Sequence, residues 1–160
     1  MPVKFEPSGW VPSVKNAING ETFHARCDIM SESCLMPMKI YESLNLWGLS
    51  KCKECVTLAD NTIKLPRGIA EGEFTKLLGI TISVDYCVIE CAGAGQVTLG
   101  RSLLKFFGAI IDMNQGTMTL APCRAVIIFS PRLRKRVRGL NKMMLMLLYL
   151  IILDASFLPS

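Results

Sequence analysis

The chain has 160 residues, of which 51% are hydrophobic and 19% are charged, and its formal net charge is +5. This length allows one domain of ordinary size, and the apolar content excludes a disordered or collagen-like chain. The charge is unevenly spread, because residues 123–160 hold seven basic residues and one acid. The preceding body holds slightly more acids than bases, so composition does not predict nucleic-acid binding by the body.

Short apolar segments separated by turn residues predict a chain of strands. In order, the predicted strands are 14–18, 21–28, 56–59, 62–65, 74–78, 80–89, 109–113 and 117–121. Apolar residues at helical spacing predict two short helices, over 38–46 with Pro37 in its first turn and over 101–107. Many short strands with close turns are typical of a barrel or sandwich. The predicted fold class is therefore mostly β, with one or two short helices.

The turns between these strands have recognisable chemistry. Asn19-Gly20 is typical of a tight hairpin, because both positions accept positive φ. Asp60-Asn61 predicts a second hairpin, and residues 114–116 predict a third.

Three regions follow from these patterns: an N-terminal arm over 1–13, a β domain over 14–122, and a tail over 123–160 outside the barrel. The tail combines a basic cluster at 132–138 with an eleven-residue apolar block at 143–153. A membrane-spanning helix needs roughly 20 apolar residues, so the block is too short for one. Because the pattern changes abruptly after Pro122, the favoured interpretation is a non-homologous C-terminal tail joined to the β domain. Contact with a membrane surface or RNA, and a solvated segment, are the alternatives.

The seven cysteines, with no secretory signal at the start of the chain, predict free thiols in a reducing, intracellular setting, the cytoplasm. Cys52 and Cys55, together with Cys87 and Cys91, raise the question of a zinc site. The second pair has a gap of three residues and no flanking glycines, so a buried-thiol interpretation is favoured. We predict no metal and no cofactor.

The most informative stretch is Ala25-Arg26-Cys27-Asp28-Ile29-Met30-Ser31, where one carboxylate ends a predicted strand. Leu35-Met36-Pro37, Leu58-Ala59-Asp60, Pro66-Arg67-Gly68-Ile69 and Leu99-Gly100-Arg101 follow it in order. Together they resemble the retropepsin-like aspartic proteases, and most closely the protease region of plant gypsy-type retrotransposon polyproteins. The resemblance covers about 14–122, and it implies a closed β-barrel that forms half of an acid protease.

The resemblance also implies how the site works. Peptide hydrolysis in this family uses two carboxylates that share one proton, so a chain with one such aspartate would act as a homodimer with Asp28 as the catalytic residue of each copy. Gly100 and Arg101 would support the turn that carries Asp28. The substrate would be a peptide or polyprotein, and no nucleic acid is expected on the barrel. Substrate contacts would come from Met30 and Ser31 and from a flap tip at Ala59, Asp60, Asn61 and Thr62.

Met30 departs from the family pattern, which has glycine at this place. Glycine allows two such turns to approach each other and reaches dihedral angles that other residues avoid. Methionine is therefore expected to impair the dyad. The alternative function is a catalytically inactive dimerisation or peptide-binding module.

Overall fold

A computed structural model describes residues 3–5, 11–58, 61–91 and 95–129, together with Met143. Its strands are β1 (Val3–Phe5), β2 (Ser13–Ile18), β3 (Glu21–Cys27), β4 (Cys34–Pro37), β5 (Val56–Thr57), β6 (Ile63–Lys64), β7 (Gly68–Leu77), β8 (Ile80–Ile89), β9 (Val97–Leu99), β10 (Ala109–Asp112), β11 (Thr117–Leu120) and β12 (Ala125–Ile128). The helices are α1 (Met38–Ser43) and α2 (Arg101–Phe106), and a 3-10 turn spans Ala121–Cys123.

Six strands close into a barrel in the order β2-β3-β9-β4-β8-β7. Asn19 and Gly20 connect β2 to β3 with φ of 48° and 90°, the positive values that a tight hairpin requires. Parallel pairing joins β3 to β9 and β4 to β8, which brings segments about 70 and 50 residues apart in sequence into contact. The mostly β barrel with two short helices is confirmed.

The barrel interior is filled by side chains that alternate along its strands. Fully buried members of this core include Val14, Ile18, Leu77, Tyr86, Val88, Val97 and Leu99. Each large apolar side chain contributes about 1.5–3 kcal/mol when it leaves water. The Tyr86 hydroxyl lies 2.9 Å from the Thr75 hydroxyl, so the one polar atom of this phenol is hydrogen-bonded. Burial raises the pKa of Tyr86.

A second sheet, in the order β1-β12-β11-β10, lies outside the closed barrel. β10 and β11 form the predicted hairpin, with Gly116 at a φ of 68° in its turn. β12 lies between β11, to which it is antiparallel, and β1, to which it is parallel.

The predicted boundaries differ from this sheet at both ends. The β domain predicted to end at residue 122 continues through β12, and the side chains of 125–129 are all buried. A strand that is buried on both faces shows no alternation of polar and apolar residues, so its pattern did not separate it from the tail. The predicted arm contributes β1 to the same sheet. Residues 132–138 and all of 143–153 except Met143 lie outside the described part of the chain.

Two local features also differ from the sequence analysis. β4, which no pattern predicted, is buried along its whole length between β8 and β9. α1 begins at Met38 as predicted, but Pro37 ends β4 and is the N-cap of the helix instead of lying in its first turn, and α1 stops at Ser43 rather than at residue 46. Among the helices that the structure describes, none combines the length and the apolar content that crossing a membrane requires.

Candidate active site

Backbone groups on both sides hold Asp28. Its N–H donates to the Leu99 carbonyl (3.0 Å), which continues the parallel pairing of β3 with β9 beyond Cys27. Its Oδ1 accepts a hydrogen bond from the Met30 N–H at 2.8 Å. The carboxylate is therefore fixed at the end of β3, partly exposed, at the start of a turn over residues 28–33 that we call the active-site turn.

The first backbone N–H groups of α2 hold the active-site turn by hydrogen bonds. The Arg101 and Ser102 N–H groups donate to the carbonyls of Ser31 (2.8 Å) and Glu32 (3.2 Å). These are among the first N–H groups of a helix, which have no partner within the helix. The Arg101 guanidinium also donates to the Ile29 carbonyl at 3.1 Å. The structure thus brings the sequence-predicted Ser31 and Arg101 into direct contact.

Gly100 lies directly against the same turn. A Cβ on this residue would stand 2.6 Å from the Ser33 carbonyl carbon and 2.9 Å from the Glu32 oxygen, closer than Cβ atoms approach backbone. Its φ of −85° is open to any residue, so close packing and not backbone conformation requires glycine here. The Gly100 N–H also reaches the Cys34 Sγ at 3.5 Å, and burial raises the pKa of Cys34.

Met30 fits the turn without backbone strain. The described non-glycine residues with positive φ do not include it, so the expected need for glycine dihedrals at this place is wrong. Its side chain is 82% exposed. The remaining part of the expected conflict is steric, because the Met30 side chain would clash only with a second copy of the chain.

A cleft of about 580 Å³ opens beside the active-site turn. One wall is formed by residues 30–33 of the turn and the opposite wall by residues 51–57, and Ile69, Cys87 and Arg101 complete the lining. The lining thus begins two residues after Asp28. A second hollow of about 520 Å³ lies on the other side of the turn and is lined mainly by apolar atoms, including those of Ile29, Leu104 and Ile111.

The predicted flap corresponds to the hairpin β5–β6. Val56 pairs with Lys64 and Thr57 with Ile63, and the Leu58 N–H donates to the Thr62 carbonyl at 2.8 Å. Asn61 and Thr62 lie exposed at the described end of this hairpin, with Asn61 at a φ of 63°. Ala59 and Asp60 lie outside the described residues.

The four thiols considered for zinc do not all lie at one place. Cys52, Cys55 and Cys87 line the cleft, whereas Cys91 lines a different hollow beside α1. Within the described ranges, no three histidine, cysteine or acidic side chains are placed to share a metal ion.

Two solved structures share this arrangement of strands. The retroviral protease-like domain of Ddi1 from Leishmania major has a TM-score of 0.55 and 21% sequence identity, covering 77% of this chain and 93% of that one. The EIAV protease, complexed with the inhibitor HBY-793, has a TM-score of 0.53 and 18% identity, covering 64% of this chain and 92% of that one. The fold is retropepsin-like.

This likeness confirms the fold that the ordered motifs predicted. No protein-family model and no curated protein matches the sequence. At these sequence identities the two solved structures support the retropepsin-like fold alone.

Sequence analysis missed the wall of the cleft opposite the turn. Residues 51–55 have no strand or helix pattern, and they reach the cleft because Ser50 forms an isolated antiparallel bridge to Ile69 of β7. Ile69 in turn pairs with Cys87 of β8. The spacing of Cys52 and Cys55 is the available signal, but the same spacing also suits half of a zinc site.

Proposed function

We propose that this chain is one half of an aspartic endopeptidase, in which two copies bring their Asp28 carboxylates face to face. The observation that carries the proposal is the Met30 N–H bond to Asp28 Oδ1, which fixes the carboxylate on a turn packed against Gly100 and beside a peptide-sized cleft. One Asp28 per chain supplies half of a dyad, so the site needs a two-fold dimer.

In such a dimer the two carboxylates share one proton. The ionised Asp28 takes a proton from a water molecule as the water oxygen attacks the scissile carbonyl carbon. The protonated Asp28 of the other copy donates a hydrogen bond to the carbonyl oxygen as negative charge develops on it. Proton return to the departing amide nitrogen then breaks the C–N bond, and the dyad regains its shared proton.

The cleft suits an extended peptide as substrate. Its lining includes the active-site turn and residues 51–57, between which a strand-like ligand would lie. Val56 and Thr57 of the hairpin β5–β6 line the cleft, which supports a role for this hairpin as a flap over that ligand. A polyprotein substrate, and descent from the protease region of a plant gypsy-type retrotransposon, belong to this proposal on the strength of the motifs.

Cleavage of a mixed peptide library at mildly acidic pH tests the function. We expect pepstatin-sensitive cleavage that Asp28→Asn abolishes, because an amide can neither take the proton from water nor share one with its mate. Asp85→Asn is the matched control, since Asp85 Oδ1 also accepts a backbone N–H, from Gly72 at 2.8 Å, but Asp85 lies in β8, away from the active-site turn. Equal activity of the wild type and Asp28→Asn would contradict the proposal.

The exposed Met30 side chain favours one second candidate, an inactive dimerisation or peptide-binding module. A side chain at this place would hold two turns apart in a dimer and misplace the carboxylates. A displacement of about 1 Å can lower a rate by about 100-fold. Peptide binding without cleavage by the wild type, with cleavage restored in Met30→Gly, would establish this second function instead.

A further inference from the structure

Two thiols line the same cleft, and their side chains interact. Cys52 lies in the irregular segment before β5, and Cys87 lies in β8. Ser50 bridges to Ile69, and Ile69 pairs with Cys87 in the neighbouring strand, so the segment that follows Ser50 begins beside this part of the barrel. We call Cys52 and Cys87 the thiol pair.

Direct contacts hold the thiol pair beside the active-site turn. Burial raises the pKa of the Cys87 thiol, the charge of Cys52 and a hydrogen bond with Cys52 raise it further, and a hydrogen bond with Ser33 opposes them. The Cys52 Sγ also lies 3.4 Å from the Glu54 carbonyl oxygen, to which it donates. Both thiols are partly exposed, so a small oxidant entering the cleft can reach them.

We propose that Cys52 and Cys87 form a reversible disulfide across the wall of the cleft when the chain meets a peroxide. A disulfide brings two sulfur atoms to about 2.05 Å, closer than two thiols in contact. Residues 51–55 form neither strand nor helix, so this segment can move toward Cys87 while Cys87 stays in β8. The two cysteines are 35 positions apart in sequence, so the bond would close a long loop.

The chemistry takes two steps and balances with one peroxide. The Cys52 thiolate attacks a peroxide oxygen, the O–O bond breaks, and Cys52 becomes a sulfenic acid while hydroxide leaves. The Cys87 sulfur then attacks the Cys52 sulfur, the S–O bond breaks, and water leaves with the Cys87 proton. In total the two thiols lose two electrons and two protons, and hydrogen peroxide becomes two waters. A dithiol reductant reverses the bond by thiol–disulfide exchange.

Cys55 is the rival partner, because it is three residues from Cys52 and lines the same cleft. Cys55 is the more exposed thiol, whereas Cys87 is the thiol with which the Cys52 side chain interacts. Pairing with Cys87 ties the segment before β5 to the barrel, and pairing with Cys55 would only close a short loop within that segment. The bond does not depend on the proposed function, but a consequence for peptide cleavage does.

Peptide mapping of the full-length chain tests the bond. The reduced protein is treated with one equivalent of hydrogen peroxide, alkylated, and digested after lysine, arginine and glutamate. Cleavage after Lys53 separates Cys52 from Cys55, and cleavage after Glu90 separates Cys87 from Cys91. We expect a linked peptide containing Cys52 and Cys87, a loss of two free thiols per chain, and recovery of both with dithiothreitol.

Variants make the assignment specific. Cys52→Ser should remove the link, whereas Cys91→Ser, the matched control at a partly exposed thiol in another hollow, should leave it intact. A dominant Cys52–Cys55 link, oxidation of Cys52 to the sulfinic acid without a link, or a link between isotopically distinct chains would each overturn the proposal. The peptide map of the wild-type chain identifies the linked cysteines even if a variant fails to fold.

The same samples separate this proposal from the proposed function. Where the chain cleaves peptides, oxidation should lower cleavage in the wild type and in Cys91→Ser but not in Cys52→Ser. A mapped Cys52–Cys87 bond in a chain that cleaves nothing in either redox state refutes the endopeptidase and keeps the disulfide. Peptide cleavage by a chain that forms no Cys52–Cys87 bond refutes the disulfide and keeps the endopeptidase.

Discussion

Around Asp28, backbone hydrogen bonds do most of the positioning. The Leu99 carbonyl, the Met30 N–H and the first N–H groups of α2 together hold the active-site turn. Such bonds do not depend on which side chain a residue carries, so the turn accepts methionine at position 30. The ion pair between Arg101 and Glu32 is long (3.7 Å) and exposed, and pairs of this kind contribute little. Substitutions should therefore affect stability most where one backbone segment packs directly against another.

Gly100→Ala should destabilise the fold by about 1–3 kcal/mol, the usual cost of inserting an atom into a well-packed site. The added Cβ would press on the carbonyl of Ser33, which cannot rotate away as a side chain would. Urea denaturation monitored by tyrosine and tryptophan fluorescence measures the loss.

Lys105→Ala, an exposed substitution in the same helix, is the control and should change stability by less than about 0.5 kcal/mol. If Gly100→Ala unfolded at the wild-type urea concentration, the close packing described at this position would be refuted.

Among the elements, β12 brings β1, the first described strand, into the same sheet as β10 and β11. It pairs with β11 on one side and with β1, at the start of the chain, on the other. Val126, Ile127 and Ile128 are at most 1% exposed, and the Phe129 N–H donates to the Gly116 carbonyl at 2.9 Å. Removing this strand would expose the second sheet and leave two strand edges unpaired.

A chain ending at residue 122 should therefore lose cooperative folding. Burial of residues 125–129 contributes about 1.5–3 kcal/mol for each large side chain, which together approach the 5–15 kcal/mol that stabilises a typical domain. Thermal unfolding followed by circular dichroism measures this.

A chain ending at residue 130 is the comparison, because it retains every described contact of β12. It should keep a cooperative transition. A cooperative transition in the chain that ends at residue 122 would show that β12 is dispensable and that the boundary predicted from sequence was adequate.

For the whole molecule, the exposed apolar side chains beside Asp28 bear on self-association. Ile29 is 54% exposed and Met30 is 82% exposed, directly after a carboxylate that would need a second copy to act. In the single chain these side chains make few contacts, so substitutions here should affect association more than folding.

Met30→Gly should tighten self-association while changing the stability of the single chain by no more than about 1 kcal/mol, the usual cost of glycine flexibility. Removing the side chain lets two active-site turns approach each other. Sedimentation over a range of protein concentrations measures the association.

Met113→Gly supplies the control, since Met113 is also exposed (60%) and lies in a turn outside both hollows at the site. It should leave association unchanged. Weaker association of Met30→Gly than of the wild type would mean that the methionine itself forms part of the contact between copies.

Local chemistry in the sequence determined the hairpins, both helices and the place of Asp28. Asn19-Gly20 specifies its turn through φ alone, and the ordered motifs from Asp28 to Arg101 specified a retropepsin-like barrel. The hairpins and helices depend only on residues that are close together in sequence. The barrel was predicted from motifs that occur in a fixed order along the chain.

Only the tertiary structure decided the rest. β4 and β12 are buried strands that carry no alternation, so their partners and not their own pattern define them. The wall of the cleft and its thiol pair depend on the pairing of Ser50 with Ile69 and of Ile69 with Cys87, across 37 positions of sequence. Such long-range pairing is set by how the whole barrel closes, because no short segment contains both partners.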